Sequence, residues 1–200
     1  MHELRRYRSL VMDNYRWEGF SFREGDIVIS TPAKCGTTWT QMLCALLIFD
    51  TTDLPGPLAE LSPWLDMQLT ARDEVFAQLE AQTHRRFIKT HTPLDGLPER
   101  VDGVTYLCVG RDPRDVSLSW EHHMANLDIG ALMTARMDAV GLDDLPELGP
   151  MPDPPPDDPG ERFWLWAETV DGVMFGTTLA GILHHLQTFW EHRDEPGYAL

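Results

Sequence analysis

A short apolar run, a tight turn and a helical pattern follow one another near the start of the chain. Together they constrain its fold more than any other feature. Asp26-Ile27-Val28-Ile29-Ser30 reads as a buried strand. From Thr37 to Phe49 the apolar residues Trp39, Met42, Leu43, Leu46 and Leu47 recur at helical spacing. Gly36 lies between the two and permits the sharp turn that joins them. Strand, turn and helix in this order make the first half of an α/β unit that binds phosphate-like groups.

The later pattern continues in kind. Ala71–Thr83 reads as a helix, and Arg86-Phe87-Ile88-Lys89-Thr90 as a second strand that ends at His91. A turn through Pro93 and Gly96 follows. Val104–Val109 is the clearest strand, bounded by Gly103 and Gly110. A helix begins at Pro113 and continues through Asp115 to Met124. Alternating strands and helices predict an α/β fold with a parallel β-sheet flanked by helices. Two hundred residues suit a single domain, 1–200.

Asp143–Gly160 stands apart, with seven of the 15 prolines, six acidic residues and no basic one. This predicts an extended, mobile acidic Pro-rich loop, either a solvated linker or a lid over a substrate mouth. From Glu161 to His192 the pattern is again helical. Phe163, Trp164, Trp166 and Val170 share one expected buried side. Leu179, Ile182, Leu183, Leu186 and Phe189 form a second stripe. His184 and His185 in this segment read as structural or solvated residues, not as metal ligands.

Composition narrows the partners. A net charge of −16 argues against broad nucleic-acid binding and against anionic membranes, though a local pocket can still be positive. No apolar stretch reaches the ~20 residues of a membrane span. Residues 1–17 carry charge but no apolar run of the signal-peptide kind. Cys35, Cys44 and Cys108 form no CxxC pair and read as reduced thiols. The expected location is the cytoplasm.

The chain has only two lysines, and both fall where anion chemistry would use them. Lys34 lies in Thr31-Pro32-Ala33-Lys34-Cys35-Gly36-Thr37-Thr38-Trp39. After a strand, this loop would turn successive backbone N–H groups and two hydroxyls toward one anion, with the helix dipole behind them. An ordinary helix cap beside a lysine would look the same. The loop is not a Walker A sequence, because no glycine stands four places before a Gly-Lys-Ser/Thr triplet. Lys89 lies in Ile88-Lys89-Thr90-His91, at a strand end where His91 can serve as a general base or as a structural residue. In Gly110-Arg111-Asp112-Pro113-Arg114-Asp115, Arg111 follows the clearest strand and can hold a phosphate through its planar fork, with Ser119 further along the helix. An Arg–Asp network at a helix start is the plainer reading.

Taken together, these three segments resemble the motifs of the sulfotransferases that use 3′-phosphoadenosine 5′-phosphosulfate (PAPS). The resemblance runs from about Trp17 to about His192, with the motifs in the family's order and spacing. It implies a PAPS-dependent transferase with a P-loop-like strand-loop-helix. Lys34, Gly36, Thr37 and Thr38 would bind the 5′-phosphate, with Cys35 contributing its backbone N–H. Trp39 would stack on adenine, and Arg111 and Ser119 would hold the 3′-phosphate. His91 would be the catalytic base, Lys89 a stabiliser of the transferring group and Lys34 of the leaving side. No metal would be needed.

Two departures accompany the resemblance. Cys35 stands where the family usually has serine. The family's further glycine-rich nucleotide-binding segment has no counterpart before Leu200, so a fragment or a short form is expected. The implied acceptor is a small molecule carrying a hydroxyl or an amine. Trp64, in Ser62-Pro63-Trp64-Leu65, resembles a residue lining the acceptor pocket, although core packing would explain it as well. Phe20, His122, His123 and Met124 are further candidates. Trp and Met walls suggest an apolar or aromatic acceptor. Two other classes stay in view, a nucleotide kinase-like phosphotransferase and a binding protein without turnover.

Overall fold

The structure is a computed structural model that describes residues 4–149, 153–170 and 175–200. Its centre is a four-stranded sheet of β1 (Ile27–Ser30), β2 (Phe87–Thr90), β3 (Thr105–Leu107) and β4 (Tyr198–Ala199), in the order β2-β1-β3-β4. Every pairing is parallel. Ile27 is in register with both Phe87 and Thr105, and Ser30 with Thr90. The carboxyl ends of β1, β2 and β3 therefore open on one edge, the edge where such sheets place their ligands.

The sheet is covered on both faces, which explains the unbroken apolar run of β1. Val28, Ile88 and Tyr106 point to one side, where Trp17, Leu65, Val75, Leu79 and Phe189 complete a core. Ile27, Ile29 and Phe87 point to the other, against Cys44, Ala45 and Leu61. Each such apolar side chain contributes about 1.5–3 kcal/mol when fully buried.

Helix α1 (Thr37–Phe49) occupies the expected residues, but its buried side is the opposite one. Thr40, Gln41, Cys44 and Ala45 face the sheet, while Trp39 is 78% and Leu47 83% exposed. Small residues at 44 and 45 let the helix approach β1 closely. The short α2 (Leu58–Leu61) and α3 (Arg72–Ala81) precede β2, and α3 buries Val75 and Leu79. Helix α4 (Pro113–Ala125) starts at its proline, with Asp112 capping Arg114 N at 2.9 Å.

Helix α5 (Ile129–Val140) was not foreseen from the apolar pattern. Its signals are the Asp128 cap, which accepts from Ala131 N at 2.9 Å, and Gly141 just past its end. Within it, Arg136 is fully buried and donates to Leu10 O at 2.6 Å and to Asp144 at 2.8 Å.

The acidic stretch after α5 is held at both of its described ends. Arg8 pairs with Asp144 and with Glu147, the latter at 2.6 Å, beside a 3₁₀ helix at Leu145–Leu148. Asp158 caps α6 (Pro159–Glu168), and Arg162 donates back to Asp157 O at 2.6 Å. Residues 150–152 of that stretch lie outside the described residues.

The pattern from Glu161 onward resolves into two helices, α6 and α7 (Leu179–Trp190). The buried side expected for the first is formed only in part: Trp166 packs against the cluster of Cys35, Val116 and Ile182, whereas Trp164 is 61% exposed and Val170, beyond the end of α6, 66%. In α7, Ile182 and Phe189 are buried as expected, whereas Leu183 is exposed. Cys35, Cys44 and Cys108 are free, buried thiols. No helix among the described residues is long and apolar enough to cross a membrane.

Candidate active site

The loop after β1 carries two left-handed residues, Lys34 at φ 64° and Gly36 at φ 102°. Glycine adopts that conformation freely, but lysine pays about 1–2 kcal/mol for it. Strain of this kind is characteristic of ligand-binding loops. No side chain caps the amino terminus of α1. The N–H groups of its first turn thus face the loop without a side-chain acceptor, which favours an anion there. Thr31 and Thr37 join their hydroxyls at 2.5 Å across the loop. Cys35 turns its side chain inward toward Val116 and Ile182. Burial pushes its thiol up to about 11, so it is a neutral packing group with only its backbone at the loop.

His91 lies at the end of the neighbouring strand, half-buried. Its Nδ1 is 2.7 Å from the carbonyl oxygen of Thr31. A carbonyl only accepts, so Nδ1 carries the hydrogen and Nε2 keeps its lone pair. Burial pulls the imidazole down to about 4, and the charges of Lys89 and Lys34 add to that shift, against the Thr31 carbonyl. His91 is therefore a neutral base at physiological pH. Its response to both lysines places the three groups in one electrostatic neighbourhood. His123 on α4 acts on His91 in the same sense, and its own pKa is lowered by burial and by Lys34.

Trp64 stands beside this pair. Its ring meets the His91 ring edge-on, with centroids 4.7 Å apart and planes at 90°. The Lys89 ammonium sits 4.8 Å from the centroid of the Trp64 ring. Burial lowers the Lys89 pKa. A backbone bridge fixes the arrangement, because Lys89 N donates to Pro63 O at 3.3 Å. One indole thus supports both groups expected to act on a substrate.

The third segment meets the loop from β3. Arg111 Nη1 approaches Lys34 O at 3.4 Å, and Nη2 lies 3.7 Å from Asp115. Ser119 is four residues beyond Asp115 and shares its helical face. Asp112 and Arg114 form the plainer network of a helix start, 2.6 Å apart.

Other expectations fare differently. Phe20 packs in an aromatic cluster with Trp17, Phe22 and Phe76, under the Arg86 guanidinium. His122 and Met124 are exposed on α4. His185 is structural, with Nε2 2.9 Å from Ser30 Oγ, which itself donates to Thr92 O at 2.6 Å. Thr31 opens the first motif but is given no role of its own by sequence, and Ser30 and Asp66 are not singled out, since the parts of all three depend on partners distant in the chain. Among the described residues, no group of three or more His, Cys, Asp or Glu is placed to hold a metal.

The sheet is thus parallel, with a strained, lysine-bearing loop at one strand end and a lysine and a neutral histidine at the next. Residues 24–200 match the family described as "Sulfotransferase domain", and the chain belongs to it. It is 46% identical over 208 residues to a glycolipid sulfotransferase of Mycobacterium tuberculosis, covering 97% of this chain and 62% of that protein. A luciferin sulfotransferase of Photinus pyralis is 32% identical over 204 residues, with 90% of this chain and 46% of that protein covered. The chain thus spans about three-fifths of the length of its mycobacterial relatives. Retinol dehydratase in complex with retinol and PAP has the same fold, with a TM-score of 0.62 at 19% identity, covering 94% of this chain and 59% of that one. A mouse sulfotransferase complexed with PAP gives 0.55 at 20% identity, covering 98% and 60%.

Proposed function

We propose that the chain is a PAPS-dependent sulfotransferase that moves a sulfuryl group to a hydroxyl, or an amine, of a small apolar or aromatic acceptor. The observation that carries this reading is the convergence of Lys34, Lys89 and a neutral His91 at adjacent strand ends. The names of the relatives and the PAP in the two solved structures agree with it.

The residues fit the donor. The strained loop and the uncapped helix offer N–H groups and the Lys34 charge to its 5′ side. Arg111, with Ser119 on the same wall, would hold the 3′-phosphate. The exposed ring of Trp39 would take the adenine. When bound, PAPS supplies the activated sulfuryl group. His91 Nε2 would accept the acceptor's proton, a contribution typically of ~10²–10⁴-fold. Lys89 and Lys34 would stabilise charge on the transferring and leaving oxygens, in a dry and preorganised setting. Negative charge between the two lysines would also offset their effect on His91 and raise its basicity.

Trp64 would give the acceptor an apolar contact beside His91. We place the protein in the cytoplasm, where three free thiols are stable.

Calorimetry with PAP and with ATP tests the site. Binding of PAP with at least tenfold preference over ATP is expected. Equal or stronger binding of ATP would favour a kinase-like phosphotransferase.

A further inference from the structure

The catalytic segment is held from beneath by a carboxyl group that the proposed chemistry leaves unused. Asp66 is fully buried. Its Oδ2 accepts from the hydroxyls of Thr90 and Thr92, the latter at 2.7 Å, and from Trp17 Nε1 at 3.1 Å. The two threonines are the immediate neighbours of His91 on either side. They are also joined to each other, because Thr92 N donates to Thr90 Oγ1 at 2.8 Å.

The same carboxyl reaches the aromatic side of the site. The indole N–H of Trp64 acts on it electrostatically, and Trp64 Nε1 and Asp66 Oδ1 are both buried without another partner. The carboxyl-bearing segment is itself rigidly placed. Arg16 donates to Leu65 O at 2.9 Å and to Thr70 O at 2.7 Å, and Asp13 N donates to Asp66 O at 3.0 Å.

Burying a carboxyl is costly unless its oxygens gather several donors. Here two hydroxyls and an indole converge on Oδ2, and their hydrogen bonds favour the carboxylate against the burial that raises its pKa. Buried networks of this kind fix a single geometry. Here the geometry fixed is that of the residues flanking His91 and of the ring against which His91 and Lys89 pack.

We propose that Asp66 is a positioning residue for the catalytic segment. It clamps Thr90 and Thr92 so that His91 keeps its hydrogen bond to Thr31, and it braces Trp64 against Lys89 and His91. Its effect on rate rests on the sulfuryl-transfer reading; its effect on geometry does not.

The decisive variant is Asp66→Asn, which keeps the size but replaces one acceptor oxygen by a donor. A misplaced reacting group costs on the order of 10²-fold. Turnover is expected to fall by ~10–100-fold, with PAP affinity and KM for PAPS changed less than about threefold. A folded variant with turnover within about twofold of the unaltered chain would overturn the proposal. So would a parallel loss of PAP affinity and turnover, which marks general damage.

Should Asp66→Asn not fold, Thr90→Val and Thr92→Val remove one donor each, and Thr90→Ser and Thr92→Ser restore it. Low turnover in the valine pair with recovery in the serine pair supports the clamp; valine variants as active as the unaltered chain contradict it. Nitrogen NMR of the His91 ring gives a readout independent of turnover. The unaltered chain should show one Nδ1–H tautomer, and the Asp66 or valine variants a mixture. An unchanged tautomer would sink the idea. If the unaltered chain transfers no sulfuryl group, the functional reading fails and the NMR comparison still decides the positioning role.

Discussion

His91 Nδ1 stands 2.7 Å from the carbonyl oxygen of Thr31, so the end of one strand sets the tautomer of the histidine on the next. The parallel register that pairs Ser30 with Thr90 brings the two residues together. The loop that begins at Thr31 goes on to Lys34 and Gly36. The same backbone therefore orients the proposed base and forms the proposed anion cradle.

Changing Lys34 to arginine should keep the charge and lose the fit. The residue sits at φ 64° in a tight loop, and a planar fork is larger than an ammonium. Steady-state kinetics should show turnover lowered by about tenfold or more. Near-normal turnover would mean that charge alone is required. Lys34→Gly should relieve the left-handed strain, giving equal or higher thermal stability with weaker PAP binding.

Arg111 should report on the 3′-phosphate. Arg111→Ala should weaken PAP by ~10–100-fold, the loss of about 1.5–3 kcal/mol for a charge-assisted contact. The same change should barely alter binding of an analogue without the 3′-phosphate. Calorimetry with both ligands checks this, and an equal loss for both would place Arg111 elsewhere on the nucleotide.

Trp64 should matter as a ring. A cation over an aromatic face contributes about 0.5–2 kcal/mol, so Trp64→Ala should lower turnover by roughly 3–30-fold. Trp64→Phe, which keeps a ring but loses the indole N–H that acts on Asp66, should retain part of the rate. If both variants lose only acceptor affinity, with the rate at saturation unchanged, the ring serves the acceptor and not Lys89 and His91.

His185 gives a pH test of the fold. Burial holds it at about 3, below its ordinary 6.5. As pH falls below 6.5 the unfolded chain takes up a proton that the folded chain refuses, so stability drops until about pH 3, where the folded form protonates too. Denaturant unfolding of the native chain and of His185→Gln should show the native advantage shrinking between pH 7 and pH 5. A constant difference would place a charged His185 in the fold.

The sequence makes the strand-loop-helix from Asp26 to Phe49 legible, because an apolar run, a permissive glycine and a helical spacing are all local signals. The same holds for the helix at Pro113. Which side of α1 is buried depends on how closely β1 is approached. Thr40 and Gln41 face inward there, with Gln41 donating to Ser62 O at 3.1 Å, against the hydropathy pattern. Helix α5 owes its place to Arg136 and its capping residues more than to an apolar stripe.

In the candidate site, Lys34, His91 and Arg111 stand in motifs whose spacing singles them out. Thr31 and Asp66 act through distant partners, so their part is visible only once β1, β2 and the 62–68 segment lie side by side. Phe20 shows the reverse. It has the right chemistry for an acceptor wall, but Trp17 and Phe76 draw it into the core.

The most direct measurement is single-turnover transfer of labelled sulfuryl from PAPS to a panel of phenols, alcohols and glycolipids, by the unaltered chain and by His91→Ala at matched PAP occupancy. The account predicts labelled product from the unaltered chain and a rate lower by ~10²–10⁴-fold from the variant, with PAP affinity nearly unchanged. PAP binding without transfer to any acceptor, or a variant that keeps more than about a tenth of the rate, would contradict it.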